Sequence, residues 1–531
     1  MEIATKVQDY SFKQFLKLRN SLNDWDNPFL QKLFQQLLQQ DYEQFATDLE
    51  PYIKRLSTTW RNTTNEIARP ENAPTIRHYN AYNERIDRIV RPLEAIQLTE
   101  EIFNDGLFSA HQQPYKGIMK RYFLHGNGEA GITCPLACTD GLIALIEMFY
   151  DEVPQAVKDI YEHAKNGRNG QFAIGAQFMS EIQGGSNIPA NVLRAVAHDD
   201  HYLLYGNKFF CSAVHADYSV VTARIEGTED IAVFVVPTWL PGDKEHEQRN
   251  HHTVNRLKWK LGTSELPSGE IDYNGAVAYR IGPQNRGVAL AVSIVLTRSR
   301  LDIGFSSAAF VMRAAREAML YARFRQVFDR KIDEFPMAAA QLEDLQDAAK
   351  RMAATAFTIY ERFLQTDNED AVQAFATREI ILLQKIFASK EAVEKLRLAI
   401  SIFGGHGAIE DFSSIPRLFR DSMVNELWEG PRNVLLAQIY RDLHKITKTI
   451  PLQRILQAMF PNVSLEQLQA AQQELHSIMQ IDLTAMPTKE NRQAARRWEQ
   501  VWEALFLTYQ QNIVEHLEET PILPDQLLAQ I

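Results

Sequence analysis

Apolar positions recur at helical spacing near the start of the chain, at Phe12, Phe15 and Leu16 and again at Leu30, Leu33, Phe34, Leu37 and Leu38. That period predicts helices up to about residue 170, with an apolar core helix at 141–150 and a linker at 69–75, where Pro70 and Pro74 break the pattern. The period changes near Gln171. Short β-branched and aromatic runs at 192–197, 202–205, 218–223 and 231–236 alternate with turn residues such as Asp199, Asp200, Gly227 and Pro237. Short strands so regularly punctuated predict a small antiparallel barrel or sandwich. Helical spacing returns at Arg286 and lasts to about Leu443. Long segments at 287–328, 338–364 and 371–402 with short connections predict a bundle. The remainder is helical again, set off by Pro451, Pro461 and Pro487. The expected fold class is multidomain α+β: an N-terminal helical domain at 1–170, a central antiparallel β domain at 171–282, a helical bundle at 283–443 and a C-terminal helical extension at 444–531.

Composition changes this picture only by exclusion. The 531 residues are 45% hydrophobic and 23% charged, with a net charge of -11 and no basic tail. That balance lacks the electrostatic footprint of a general nucleic-acid binder. Cys134, Cys138 and Cys211 make neither a disulfide framework nor a zinc site, and read as buried thiols in a reducing compartment. The first ten residues lack the basic start and apolar core of a signal peptide. The best membrane candidate, 288–296, is stopped by Arg298 and Arg300, so a soluble, cytoplasmic protein without membrane insertion is expected.

Five stretches carry candidate chemistry. The first, Phe178-Met179-Ser180-Glu181-Ile182-Gln183-Gly184-Gly185-Ser186-Asn187, ends a strand in a hydroxyl and continues into a Gly-Gly pair. Glycines allow a backbone to approach a flat ligand or phosphate closely, although taken alone the stretch reads more readily as an ordinary turn. In the second, Gly206-Asn207-Lys208-Phe209-Phe210-Cys211-Ser212, alternation puts Phe210 and Ser212 on one strand face, an aromatic ring beside a hydroxyl. A core phenylalanine in a hairpin fits the same pattern. The third is Arg325-Gln326-Val327-Phe328 near the end of a long helix, where an arginine either forks onto a pyrophosphate or stays a solvated charge. The fourth, Gly404-Gly405-His406-Gly407, lacks the preceding strand and the spacing of a dinucleotide-binding loop, but ends a helix with backbone N–H groups able to meet a phosphate. The fifth is Glu426-Leu427-Trp428-Glu429-Gly430-Pro431-Arg432-Asn433. A carboxylate beside an aromatic ring is partly desolvated, which raises its pKa toward that of a general base; an acidic residue before a helix is also common.

Taken together, in this order and spacing, the stretches resemble the acyl-CoA dehydrogenase family over about residues 133–443. Met179-Ser180-Glu181 with Gly185-Ser186-Asn187 resembles its first signature, and Gly206 to Ser212 the strand that packs on the flavin. Arg325 and Phe328 resemble the pair that reaches a neighbouring subunit's FAD. Gly404-Gly405 resembles the FAD-contacting turn, and Trp428-Glu429-Gly430 the loop carrying the base. The resemblance implies non-covalent FAD held by Phe178, Met179, Ser180, Gly185, Ser186, Phe210, Ser212, Arg325, Phe328, Gly404, Gly405, Trp428, Gly430 and Asn433, with no metal. It implies α,β-dehydrogenation of an acyl-CoA or acyl-carrier thioester to the trans-2-enoyl product, Glu429 removing the α proton and the hydride going to flavin N5. It implies an electron-transfer flavoprotein as acceptor and a homodimer or homotetramer.

Some positions depart from the family pattern. Ser180 and Ser212 replace threonines, Phe210 replaces tryptophan, and Asp329, Ser401 and Pro431 replace the usual Gly, Gln and Thr. Members that carry the base on the bundle helix have a carboxylate before the residue matching Arg300, where this chain reads Thr297-Arg298-Ser299; Asp302 is off register. That favours Glu429. The extension resembles larger, AidB-like relatives, which leaves as alternatives a nucleic-acid-binding or protective flavoprotein with little dehydrogenase activity, or a flavin monooxygenase. Against phosphate binding, the residues from Lys445 onward hold seven Lys and Arg and ten Asp and Glu. His246, His251 and His252 miss zinc-ligand spacing, and Ser264 lacks a nucleophile-elbow context.

Overall fold

The structure is a computed structural model, and it describes residues 11–109, 113–366 and 370–530. The reading of residues 1–10 lies outside the described residues. Helices Lys13–Asn20, Pro28–Leu38, Tyr42–Arg55 and Arg61–Ile67 open the chain. Pro28 begins the second at a position needing no N–H, and the Asn27 side chain before it accepts from Leu30 N at 3.2 Å. The helical reading fails at Thr75. Strands β1 (Thr75–Tyr79) and β2 (Arg85–Val90) form an antiparallel hairpin, and the expected linker is a short 3-10 turn, Pro70–Asn72, leading into it. Helix Ala130–Met148 follows two more helices. It is long and apolar enough to cross a membrane, yet 78% of its apolar window is buried inside the protein, where it serves as a core helix.

The β domain is a barrel. Its strands are β3 (Gly175–Phe178), β4 (Arg194–His198), β5 (His201–Ser212), β6 (Tyr218–Ile225), β7 (Ile231–Pro237), β8 (His252–Leu257) and β9 (Ser268–Ile281). The order β6-β4-β5-β9-β7 closes on itself because β7 also pairs with β6, while β3 joins β6 and β8 joins β9. Most pairs are antiparallel; β3 and β4 each run parallel to β6. The second stretch does not turn at Gly206. β5 runs through it as one twelve-residue strand with register shifts at Leu204/Tyr205 and Lys208/Cys211.

The bundle begins with a short helical turn, Gly287–Leu290, passes through a π-helical turn, Ala291–Leu296, and becomes helix Thr297–Phe324. The wider π turn shows in the Thr297 hydroxyl, which donates to Val292 O, five residues back, at 3.1 Å. Helices Pro336–Gln365, Ala371–Phe403 and Ile415–Leu427 pack around it. The extension is not a separate appendix. Trp498, Trp502, Phe506 and Tyr509 of helix Lys489–Val514 share one core with Leu383, Leu435 and Ile439 of the bundle. The chain then returns to its beginning, with Phe29 N donating to Pro521 O at 3.1 Å and Arg316 Nε to Ile522 O at 3.0 Å.

Candidate active site

Helix Ile415–Leu427 ends at Trp428, and the next two residues leave it in left-handed conformations, Glu429 at φ +57 and Gly430 at φ +104. Such a conformation is strained for a residue with a side chain and is typical of functional turns. The turn brings the Glu429 carboxylate to the wall of a cavity between helices Ile415–Leu427, Thr297–Phe324 and Ala130–Met148. About 40 Å³ of it is open to the centre of a water molecule. Ser299, Asp302, Ile303, Ser306 and Phe310 form one wall, spaced three to four residues apart along one helix face. Asp421, Asn425 and Trp428 repeat that spacing opposite, and Asn425 Nδ2 donates to Ser306 Oγ at 2.9 Å, fixing the two helices together. Cys134, Ala137 and Cys138 supply small side chains on the third side. Cys134 and Cys138 are thus wall residues of the cavity; Cys211 is the fully buried thiol.

The carboxylate is held from several sides. Gln177 Nε2, on β3, donates to Glu429 Oε1 at 2.8 Å and to Ser299 Oγ at 3.1 Å. Arg300 Nε donates to the Glu429 carbonyl at 3.1 Å. Burial raises the Glu429 carboxyl above the ordinary carboxylate range, and Arg300, Lys385 and the Gln177 amide only partly counter it. Asp302 has a different environment. Burial alone would raise it, but Arg121 and His125 outweigh that, and His125 Nε2 lies 2.9 Å from Asp302 Oδ2. Three carboxylates therefore face one cavity: Asp302 is held low by its cations, burial raises Glu429, and burial together with the nearby Glu265 pushes Asp421 up to about 8.

The remaining expected site residues fall into two groups. Phe209 N donates to Ser180 O at 3.0 Å, which sets Phe210 and Ser212 beside the Ser180–Ser186 turn. Phe210 is 39% exposed, Ser212 Oγ lies 3.3 Å from Ser268 Oγ, and Trp428 packs on the barrel core. The side chains of Phe178 and Met179 are buried in the core, which leaves only their backbone to meet a ligand. Asn433 is exposed in the first turn of helix Arg432–Ile446. The second group is remote. Arg325 lies 26 residues beyond Ser299, about 39 Å at the α-helical rise. The helix ends at Phe324, so Arg325 and Phe328 are not on it. Phe328 and Asp329, both at positive φ, turn a two-residue hairpin, and Phe328 is 90% exposed. Gly404 and Gly405 are close to that end, since Tyr321 OH lies 3.1 Å from His406 Nδ1.

The first group suits a flat, polar-edged cofactor. The Trp428 indole N–H is buried and has no hydrogen-bond partner among the described residues, Phe210 offers an open ring face, and a Cβ at Gly185 would come within 2.3 Å of Ser180 Oγ, so only glycine lets that turn close over the hydroxyl. Sequence reasoning missed Gln177, Ser299, Arg300 and Lys385 as residues that hold the base. The available signal was polarity out of place: a glutamine within a buried strand, and a lysine within the apolar run 380–388.

Residues 285–444 match the family model described as acyl-CoA dehydrogenase, C-terminal domain. The chain is 28% identical to acyl-CoA dehydrogenase family member 11 of Caenorhabditis elegans over 439 residues, covering 78% of this chain and 70% of that protein. It is 27% identical to the putative acyl-CoA dehydrogenase AidB of Escherichia coli K12 over 434 residues, covering 79% and 75%. The crystal structure of Caenorhabditis elegans ACDH-11 in complex with C11-CoA shares the fold, with a TM-score of 0.77 at 23% identity over 96% of this chain and 90% of that one. The chain thus matches the acyl-CoA dehydrogenase C-terminal domain through its bundle and is similar to members of that family of oxidoreductases over most of its length.

Proposed function

We propose that the chain converts an acyl thioester, carried on CoA or a carrier protein, to its trans-2-enoyl form, with Glu429 as the base. The observation that carries this reading is the Glu429 carboxylate on the cavity wall, desolvated and aimed by a left-handed turn. Gln177 occupies Oε1, which leaves Oε2 to take the α proton. A backbone N–H of the 428–430 loop polarises the thioester carbonyl, and the cavity excludes water from the α carbon. FAD, when bound, supplies the acceptor for the hydride that leaves the β carbon. Ser180, Ser212 and the turn at Gly185 hold its edge, Phe210 and Trp428 its faces. Arg325, Phe328, Gly404 and Gly405 complete the site of a second copy in a homodimer or homotetramer, which is the role their distance from Glu429 leaves them. An electron-transfer flavoprotein takes the electrons onward.

The test is Glu429→Gln, which keeps size and removes the base. Under anaerobic conditions an acyl-CoA panel of varied length and branching is expected to bleach the flavin of the parent and not of the variant. Bleaching at the parent rate overturns the assignment. A second reading, a flavoprotein that binds a macromolecule, draws on one feature: an open groove between helix Arg432–Ile446 and the extension, lined by Arg441, His444, Lys445 and Lys448 together with Asp482. Salt-dependent duplex binding together with no bleaching by any acyl-CoA would favour it.

A further inference from the structure

Lys385 lies in the middle of helix Ala371–Phe403 and is completely buried. Lysine is almost never fully buried unless its ammonium is satisfied. Here Nζ donates to Glu426 O at 2.9 Å and to Gly430 O at 2.6 Å, one carbonyl on each side of Glu429. Glu426 is in the last turn of its helix, where carbonyls lack helical partners and a cation is favoured. Pro431, next to Gly430, has no N–H to offer. From the opposite side Arg300 holds the Glu429 carbonyl itself. The turn that aims the carboxylate thus hangs on two buried cations.

We infer that Lys385 is a positioning residue for the reaction: its ammonium clamps the carbonyls flanking Glu429, fixes the left-handed turn that points the carboxylate into the cavity, and adds a positive charge behind it. The inference rests on Glu429 as the base. The groups that face the ammonium are Glu429 from the loop and Glu426 from the end of helix Ile415–Leu427, which favour its charge, and Arg300 from helix Thr297–Phe324, which opposes it. Burial dominates and pushes Lys385 down to about 7. Its charge in turn helps keep the Glu429 carboxyl from rising further.

Lys385→Met removes donors and charge while keeping most of the volume, and an apolar side chain suits a dry helix interface, so a folded, FAD-containing protein is expected. Turnover should fall about a hundredfold, as a misplacement of the order of 1 Å does, with KM little changed. The acid limb of the turnover profile should move to higher pH, because losing a nearby cation destabilises the carboxylate; a merely structural lysine would not move that limb. Lys385→Arg, which retains donors and charge, should recover at least about a tenth of parent turnover and return the limb. If the Met variant does not hold FAD, Lys385→Gln, with one donor and no charge, carries the same two readouts. Parent turnover and an unmoved limb in a folded Met or Gln variant overturn the inference. If Glu429→Gln is inactive while Lys385→Met is fully active, only this inference falls; if Glu429→Gln is active, the base assignment falls first.

Discussion

Glu181 is the residue whose replacement should tell most about how the cofactor turn is held. Its carboxylate is 1% exposed and accepts from Lys208 Nζ at 2.8 Å, Leu193 N at 3.1 Å, Val192 N at 2.7 Å and Gln183 Nε2 at 2.8 Å. It joins the end of β3 to β4 and β5 directly beside Ser180. Glu181→Gln leaves the fully buried Lys208 ammonium without its counter-ion, a change worth about 3–5 kcal/mol when a buried pair is broken on one side. With an unfolding entropy of about 2.1 cal/mol/K per residue, a single melting transition of the whole chain would shift by roughly 2.5–4.5 °C. The double variant Glu181→Gln/Lys208→Met, with both charges gone, should regain most of that loss. Melting and denaturant titration of the four proteins form the cycle that isolates the pair. A single variant as stable as the parent, or a double variant no better than the single, refutes the reasoning. The two partners' shifts differ in what they report. Glu181 lies below its ordinary value because Lys208 and its hydrogen bonds outweigh burial, whereas burial pushes Lys208 down to about 8, so the pair does not fully offset the cost of burying the ammonium. The stability contributed by Glu181 is present above its unfolded pKa and lost as pH falls through its folded one. The Lys208 contribution grows as pH rises from about 8 toward its unfolded value of about 10.4.

Gly430→Ala puts a side chain at φ +104 with its Cβ 2.7 Å from Leu435 Cδ2, and should cost about 1–3 kcal/mol and slow turnover; unchanged melting and rate would show that the turn is unstrained. Turnover should fall at acid pH along a limb above the ordinary carboxylate range, because Glu429 must be ionised to act and burial raises it; a limb at or below the ordinary Glu value in a pH–rate profile contradicts this. Light scattering is expected to find a dimer or tetramer, and Arg325→Ala to weaken both assembly and FAD retention; a fully flavinated monomer at micromolar concentration would exclude the shared site.

Much of this organisation is legible in the chain because hydrophobic period reports burial on one face. The barrel strands and the long bundle helices have that pattern. The hairpin Thr75–Val90 does not, since it fully buries only Ile86 and Asp87, the latter satisfied by His78, Arg85 and Val254 N, while Ile76 and Ile89 pack half-buried on the barrel core. The end of helix Thr297–Phe324 was hidden for another reason: Phe328 and Asp329 adopt the left-handed turn without glycine, and aspartate is among the few residues that do so readily. At the site, Glu429 was legible from the aromatic-Glu-Gly sequence. Gln177 and Lys385 were not, because what matters about them is a partner 252 residues away for one and backbone carbonyls about 40 positions on for the other.

The π-helical turn at Ala291–Leu296 takes up one residue more than an α-helical turn would. Because the wider turn advances each residue by less than the α-helical angle of about 100°, the surplus is absorbed locally, and the stripe of Ser299, Asp302 and Ser306 keeps its phase toward Glu429. Deleting one residue within the turn would leave an ordinary, equally apolar helix with that stripe still facing the cavity, whereas deleting one from the regular helix just beyond it would swing the stripe by about 100°. The turn is thus a place where the chain can change length without changing the register of the active site.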